Sequence, residues 1–296
     1  MVVGDVHGDL DRYVEVLTMA GILDSAQKWA GGNAVLVQLG DMVDRGPDSR
    51  GVIELLQRLD KEAKKAKGKV YPLIGNHEAM RMYGDLRYVP PAEYETFRTP
   101  KSEEERDKWF QHASQAAESR GTPIDRQKWE SEHPLGQSEF LDAFSARGEY
   151  GRWILSLRAV LVYDNSLFLH GGISPRFADW PEGKINSRVK DELSSGLPPA
   201  DGLCRSEDGP LWYRGLASAP ESEIAAHVDH VLQSFKVKRI VVGHTPQLQG
   251  IVSRLGGKVI LADAGLSKYF GGHKACVVIE NGEPFALDGG KKTALK

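Results

Sequence analysis

Six side chains that commonly bind metal ions stand close behind short apolar runs of the sequence. They comprise two aspartates, three histidines and one asparagine: Asp5, His7, Asp41, Asn76, His170 and His244. Carboxylate, imidazole and amide oxygen suit Mn, Fe, Zn or Co, and no thiolate accompanies them. Six such groups can hold two ions roughly 3.5 to 4 Å apart if one carboxylate is shared. Asp41 is the natural choice for that shared ligand.

Each candidate ligand lies in a short motif that also contains glycine. In chain order the motifs are Gly4-Asp5-Val6-His7-Gly8, Gly40-Asp41-Met42-Val43-Asp44-Arg45-Gly46, Gly75-Asn76-His77-Glu78, His170-Gly171-Gly172 and Gly243-His244-Thr245. Any one of them alone is more often an ordinary turn, because short motifs match by chance. Five in order, each directly after an apolar run, are far harder to explain by chance and indicate a functional site.

The elements that must position these motifs alternate between strands and helices. Short β-branched runs predict strands at Val2–Val3, 34–39, 70–74, 159–163, 167–169, 239–242, 259–262 and 275–279. Apolar residues at helical spacing predict amphipathic helices that begin near Leu10, Val52 and Ile224. This pattern favours an α/β fold, and the closely spaced C-terminal strands favour two sheets. Because ligands bind beyond the carboxyl ends of strands in open α/β sheets, we expect the five loops to converge on one pocket.

Three segments depart from this alternation. Residues 90–150 are rich in charge yet contain buried-type aromatic residues, which predicts a helical insertion or cap whose aromatic residues mainly pack. Residues 179–215 contain many Pro, Gly and Ser residues and are predicted as a long loop. Residues 291–296 are predicted as a flexible tail. We therefore expect one catalytic domain over residues 1–296.

Composition excludes several classes of protein. The chain has 296 residues, 41% of them hydrophobic and 27% charged, which is typical of a globular protein rather than a disordered one. With 38 basic and 41 acidic residues it lacks the positive excess of a non-specific nucleic-acid binder, so no nucleic-acid partner is expected. Two separate cysteines provide neither a disulfide framework nor a thiolate zinc site.

Localisation is less constrained by the sequence. No apolar run reaches the length of a membrane span, so no membrane partner is expected. Met1-Val2-Val3 is short for a strand, so we expect further residues before Met1. A cytoplasmic location is the default, an exported form stays open, and the oligomeric state is not indicated.

The five motifs, in this order, resemble those of the phosphoprotein phosphatase (PPP) family of binuclear metallophosphoesterases. Within that family, residues 75–89 and Trp29-Ala30-Gly31-Gly32 resemble the Shewanella-like phosphatases. The resemblance extends from the first residues to about Gly272. It implies an αββα sandwich, in which two mixed β-sheets are flanked by helices and the metal ions lie at the strand ends.

The resemblance also implies a role for each matching residue. Asp5, His7 and Asp41 would bind one metal ion, and Asp41, Asn76, His170 and His244 the other. His77 would be the general acid and Asp44 would orient it, while Arg45 and Arg214 would grip the phosphate. We expect Mn²⁺, with Fe or Zn as alternatives. The implied reaction is attack by a metal-bridging hydroxide on phosphoserine, phosphothreonine or phosphotyrosine in a phosphoprotein or phosphopeptide.

One segment departs from the better-known eukaryotic members of the family. Leu261-Ala262-Asp263-Ala264-Gly265-Leu266-Ser267 replaces their Ser-Ala-Pro-Asn-Tyr-type loop, which leaves the role of Tyr269 open. Two other functions are considered. A symmetrical diadenosine tetraphosphate hydrolase shares the first three motifs, but residues 84–89 argue against it. A catalytically inactive phosphopeptide-binding module should lack at least one ligand or the acid, and here all are present.

Overall fold

Two β-sheets packed face to face form the centre of the structure, a computed structural model that describes residues 1–296. The strands are β1 (Val2–Val3), β2 (Val35–Gln38), β3 (Lys69–Pro72), β4 (Val160–Tyr163), β5 (Ser166–Leu169), β6 (Arg239–Val242), β7 (Val252–Arg254), β8 (Val259–Leu261), β9 (Ala275–Glu280), β10 (Glu283–Asp288) and β11 (Lys291–Ala294). The first sheet has the order β11-β10-β9-β1-β2-β3 and the second β4-β5-β6-β8-β7. Both contain parallel and antiparallel pairs.

Helices cover the outer faces of the two sheets. They are α1 (Leu10–Met19), α2 (Ser49–Lys65), α3 (Asn76–Met82), α4 (Pro91–Glu95), α5 (Ser102–Glu118), α6 (Arg126–Glu132), α7 (Gln137–Phe144), α8 (Glu149–Ile154), α9 (Glu182–Ser194), α10 (Gly215–Ser218) and α11 (Glu221–Phe235). Helix α2 packs on β3 and α9 on β4. None of the helices is both long and apolar enough to cross a membrane.

Successive side chains along the central strands point to opposite faces of the sheets, and both faces are buried. In β6, Val241 packs between the sheets, whereas its neighbours Ile240 and Val242 face the helical layer. Phe168 in β5 lies between the sheets in the same way, flanked by helix-facing Leu167 and Leu169. Strands buried on both faces read as continuous apolar runs, which is why the sequence reveals them. The predicted αββα sandwich is confirmed.

The structure differs from the sequence-based expectations at the C-terminus and in one predicted loop. Residues 179–215 contain helix α9, which buries Ile185, Val189 and Leu193 although its neighbours are rich in Pro and Gly. Strands β7 and β10 were not predicted. Residues 291–296 do not form a free tail, because Lys291–Ala294 pairs with β10 as an exposed edge strand.

The segment predicted as an insertion contains helices α4 to α8. Its aromatic residues pack against one another: Phe140 is in edge-to-face contact with Tyr94 and Phe97, and its ring is tilted by 36° against that of Phe144. Phe140 and Phe144 are fully buried and Trp129 nearly so. Tyr94, Phe140 and Phe144 therefore belong to the main hydrophobic core, whereas Trp129 packs separately against Trp109, Phe110 and His133.

Candidate active site

The loops that follow β1, β2, β3, β5 and β6 meet at one edge of the two sheets, and their backbone is unusual there. Five of the predicted site residues have left-handed backbone: His7 (φ 48°), Asp41 (48°), Asp44 (70°), Arg45 (65°) and His244 (66°). Such conformations cost on the order of 1 kcal/mol or more for each non-glycine residue and concentrate at functional sites. The surrounding contacts must therefore hold these loops in place.

Two glycines allow backbone to approach the candidate carboxylate ligands closely. A Cβ at Gly75 would lie 2.3 Å from Oδ1 of Asp41, and one at Gly243 would lie 2.6 Å from Oδ1 of Asp5. Both distances are far below van der Waals contact. Any larger residue at either position would displace a carboxylate from the site.

Asp41 lies at the centre of the predicted ligands. Its Oδ1 accepts the backbone N–H of His77 at 3.0 Å. Its Oδ2 lies 3.3 Å from Nε2 of His170 and 3.8 Å from Nε2 of both His7 and His77. Two groups of potential ligand atoms share this one carboxylate: Asp41 with His7 and His77, and Asp41 with His170 and His244. The arrangement is the one expected of a bridging ligand.

Three histidines are oriented by backbone carbonyl oxygens. Nδ1 of His7 donates to Val43 (3.1 Å), Nδ1 of His170 to Leu39 (2.8 Å) and Nε2 of His244 to Trp212 (3.1 Å). Because a carbonyl oxygen only accepts hydrogen bonds, the donating nitrogen carries the proton in each ring. The other nitrogen is left with a free lone pair, as metal-binding histidines require.

The atoms that face Nε2 of His170 indicate whether a metal ion fits this site. Nε2 of His170 lies 2.9 Å from Oδ1 of Asn76 as well as 3.3 Å from Oδ2 of Asp41. Once Nδ1 of His170 has donated to Leu39, all three facing atoms are acceptors. Acceptors at such distances repel unless a cation lies among them. That cation can be a proton, because the carboxylate of Asp41 outweighs burial and raises the pKa of His170, or a divalent metal ion, which this donor set also fits.

Burial and the neighbouring charges shift the pKa values of the candidate ligands. Burial, with the nearby carboxylates of Asp263 and Asp41, raises the pKa of Asp5 well above its usual value. Burial also opposes ionisation of Asp41, but the charges of His170, His77 and His7 outweigh it and lower the pKa of that carboxyl. Burial lowers the pKa of His7 to about 4. Bound cations would offset the repulsion among the carboxylates.

His77 differs from the three histidines above because its orienting partner is a carboxylate. Nδ1 of His77 donates to Oδ2 of Asp44 at 2.6 Å, and both side chains are almost completely buried. Burial opposes ionisation of Asp44, but Arg81 and His77 outweigh it and lower the pKa of this carboxyl. Nε2 of His77 faces Asp41 and the centre of the site.

The two predicted arginines lie on different sides of the site. The guanidinium of Arg45 lies 4.3 Å from the ring centre of Tyr88 and 4.9 Å from that of Tyr269, and its Nε is buried with no hydrogen-bond partner. Arg214 is exposed and donates to the backbone oxygen of His244 at 2.7 Å and to Oγ1 of Thr245 at 3.1 Å. Both have donors left for an anion.

Glu78, which has no predicted role in the sequence, fixes the central loop. Glu78 accepts hydrogen bonds from the backbone N–H groups of Asp41 (2.9 Å), Met42 (2.8 Å) and Gly75 (2.8 Å). Burial, reinforced by Asp41, raises the pKa of Glu78 to about 7. Its place in the third motif was the available signal.

The comparisons with known proteins agree with this geometry. The family model for calcineurin-like phosphoesterases matches residues 1–248. An uncharacterised protein of Schizosaccharomyces pombe is 35% identical over 95% of this chain and 77% of its own length. Shewanella-like protein phosphatase 2 of Arabidopsis thaliana is 30% identical over 90% of this chain and 71% of its own length. The crystal structure of a cold-active protein-tyrosine phosphatase from Shewanella sp. covers all of this chain and 79% of its own, at TM-score 0.75 and 27% identity.

The chain belongs to the calcineurin-like phosphoesterase family, and its fold and site are those of a metal-dependent phosphatase. Within that family it is similar to the Shewanella-like protein phosphatases, so the resemblance found in the sequence is confirmed. The roles of the individual site residues stay predictions, which the experiments below address.

Proposed function

We propose that this chain removes phosphate from phosphoproteins, preferentially from phosphotyrosine side chains, with two bound metal ions, of which Mn²⁺ is our first choice. The observation that carries the proposal is the shared carboxylate of Asp41 beside the His77–Asp44 pair. This geometry supports the proposal that metal ligands and a proton donor act together at one small site. The protein phosphatases among its relatives support the substrate class.

The predicted ligands divide between two positions around Asp41. Asp5, His7 and Asp41 would hold one ion, and Asp41, Asn76, His170 and His244 the other. When bound, such ions neutralise phosphate oxygens and lower the pKa of water, which supplies a nucleophile at neutral pH.

The protein's own side chains would complete the reaction. Arg214 uses only one of its nitrogens, for His244 and Thr245, so the guanidinium groups of Arg45 and Arg214 can each bind phosphate oxygens, and a guanidinium matches two of them at once. His77 keeps one proton on Nδ1 for Asp44, so a second proton at Nε2 can pass to the departing oxygen. The phosphate is thereby held between the arginines with its leaving group toward His77.

Aromatic rings beside Arg45 favour phosphotyrosine. Tyr88 lies 5.0 Å from the ring of His77, and Phe270 lies 5.4 Å from that of His7. Tyr269 is 62% exposed, and its ring contacts the ring of Phe270 and the guanidinium of Arg45. We call the rings of Tyr88, Tyr269 and Phe270 the aromatic wall. A phenyl phosphate ester can stack against the aromatic wall while its phosphate reaches Arg45, whereas a phosphoserine side chain is too short to contact these rings.

A substrate panel tests the proposed function. We expect protein reconstituted with Mn²⁺ to hydrolyse a phosphotyrosine peptide with a higher kcat/KM than the matched phosphoserine peptide or diadenosine tetraphosphate. If the dinucleotide is better by about tenfold or more, the chain is a dinucleotide hydrolase and the proposal is wrong. Binding of phosphopeptides without turnover of any ester would instead indicate an inactive binding module.

Tyr269 offers a direct test of the aromatic wall. We expect Tyr269→Ala to lower kcat/KM for the phosphotyrosine peptide by about three- to tenfold, the equivalent of one aromatic contact, and to leave the phosphoserine peptide almost unchanged. Tyr269→Phe is the matched control, because it retains the ring and should retain the preference. Equal losses on both peptides after Tyr269→Ala would show that the ring does not select the substrate.

A further inference from the structure

A buried network connects the insertion to the carboxylate that orients His77. Arg81, on α3, donates from Nε to Oδ1 of Asp44 at 2.7 Å. Its other two nitrogens donate to the two carboxylate oxygens of Glu93, each at 2.6 Å. Glu93 lies on α4, the first helix of the insertion. The guanidinium therefore bridges two carboxylates from different parts of the chain.

Ser49 closes this network at the start of α2. Its Oγ accepts from the backbone N–H of Asp44 at 3.1 Å and from Arg81 at 3.0 Å, and donates to Glu93 at 3.0 Å. Every member is at most 2% exposed. The hydroxyl thus uses its one donor and both acceptor sites within the network.

Aromatic residues of the insertion seal the guanidinium from solvent. The centre of the Arg81 guanidinium lies 5.0 Å from the ring of Phe140 and 4.8 Å from that of Phe144. A charge buried in this way is stable only when its partners are complete, so loss of either carboxylate leaves an uncompensated cation. Surface ion pairs of the same insertion, such as Arg98 with Glu95 at 2.9 Å, are exposed and carry no such penalty.

The two carboxylate oxygens of Asp44 bind different partners, Arg81 and His77. Oδ1 is held by Arg81, which leaves Oδ2 directed at Nδ1 of His77. The backbone of Asp44 is left-handed, so its orientation also depends on the bond from its N–H to Ser49. Loss of Arg81 would release Oδ1 and so weaken the constraint on the direction of the imidazole.

We propose that Arg81 and Glu93 are positioning residues for the general acid, through which the insertion fixes the orientation of the His77 ring. Arg81 acts by holding one oxygen of Asp44, and Glu93 by holding Arg81. The catalytic part of this inference rests on the proposed function, whereas the orientation of His77 can be measured without any reaction.

The kinetic test compares Glu93→Gln and Arg81→Lys with two controls. Glu95→Gln removes an exposed carboxylate from the same helix, and Trp129→Leu perturbs the aromatic packing of the insertion without touching the network. For Glu93→Gln and Arg81→Lys we expect kcat on an alkyl phosphate to fall by about tenfold or more, with a clearly smaller loss on p-nitrophenyl phosphate and KM within about twofold. Glu95→Gln should behave as the unmodified chain, and any loss from Trp129→Leu should be equal on both substrates.

The spectroscopic test follows the Nδ1 proton of His77 by NMR in protein reconstituted with Zn²⁺, which is diamagnetic. The resonance is assigned by its disappearance in His77→Gln. We expect it to shift or broaden in Glu93→Gln and Arg81→Lys but not in Glu95→Gln or Trp129→Leu. An unchanged resonance in both network variants, or equal kinetic losses on both substrates, would overturn the proposal. If the unmodified chain hydrolyses no phosphate monoester, the proposed function fails while the NMR result still decides whether Arg81 and Glu93 orient His77.

Discussion

Asp41→Asn is expected to abolish binuclear metal binding and to lower kcat/KM on phosphate monoesters by about a thousandfold or more. The reason is that Oδ2 of Asp41 faces the lone-pair nitrogens of His7 and His170 from opposite halves of the site. An amide at this position offers one weak oxygen ligand and no negative charge. The bound metal, measured on purified protein by mass spectrometry, should fall from two equivalents to about one or less.

Two variants serve as comparisons for Asp41→Asn. His7→Asn removes an outer ligand and should weaken one metal position while the other stays filled. Asp60→Asn makes the same chemical change at a partly exposed position of α2, where Asp60 pairs only with Lys64, and should leave metal content and activity intact. Two full equivalents of tightly bound metal in Asp41→Asn would show that a different group bridges the ions.

Much of this site could be predicted from sequence because its candidate metal ligands directly follow the buried strands of the fold. Strands buried on both faces give apolar runs, and the loops after their carboxyl ends must hold any ligand. Asp41 and His170 lie 129 positions apart in the chain, yet each follows such a run. The strand ends therefore predicted the convergence that the structure shows at 3.3 Å.

The network behind His77 gave no comparable signal. Arg and Glu side chains are usually exposed, so nothing in the local sequence marks Arg81 and Glu93 as fully buried. Their pairing depends on how α4 folds back against α3, which is a tertiary property. Glu78 was closer to prediction, since it lies in the motif with Asn76 and His77, but its role of accepting three backbone N–H groups requires the folded loops.

Helix α9 and strand β11 escape prediction because of the residues in and around them. Ile185, Val189 and Leu193 in α9 have helical spacing, but the Pro and Gly residues around them favoured a loop. Strand β11 has four exposed residues and no apolar pattern, so only the unpaired edge of β10 explains its formation.

His77→Asn is expected to lower kcat on alkyl phosphates by about a hundred- to ten-thousandfold while both metal positions stay filled. An alkoxide leaving group needs a proton as the ester bond breaks, and His77, held by Asp44 at 2.6 Å, is the residue placed to give it. p-Nitrophenolate leaves without much help, so the loss on p-nitrophenyl phosphate should be much smaller. Steady-state kinetics on both esters, with metal analysis of the same samples, measures this difference.

The exposed pair of His230 and Asp179 provides a control, because it is also a hydrogen bond between an imidazole and a carboxylate, made here by Nε2 of His230 at 2.7 Å on the protein surface. His230→Asn should leave both activities unchanged. His77 could be a general acid or a metal ligand, since its Nε2 is as close to Asp41 as that of His7. The metal content of His77→Asn distinguishes these two roles. Retained metal with a loss confined to alkyl esters identifies a general acid. Lost metal with equal losses on both esters would make His77 a ligand instead, and the carboxylate behind it would then tune a metal ion rather than a proton donor.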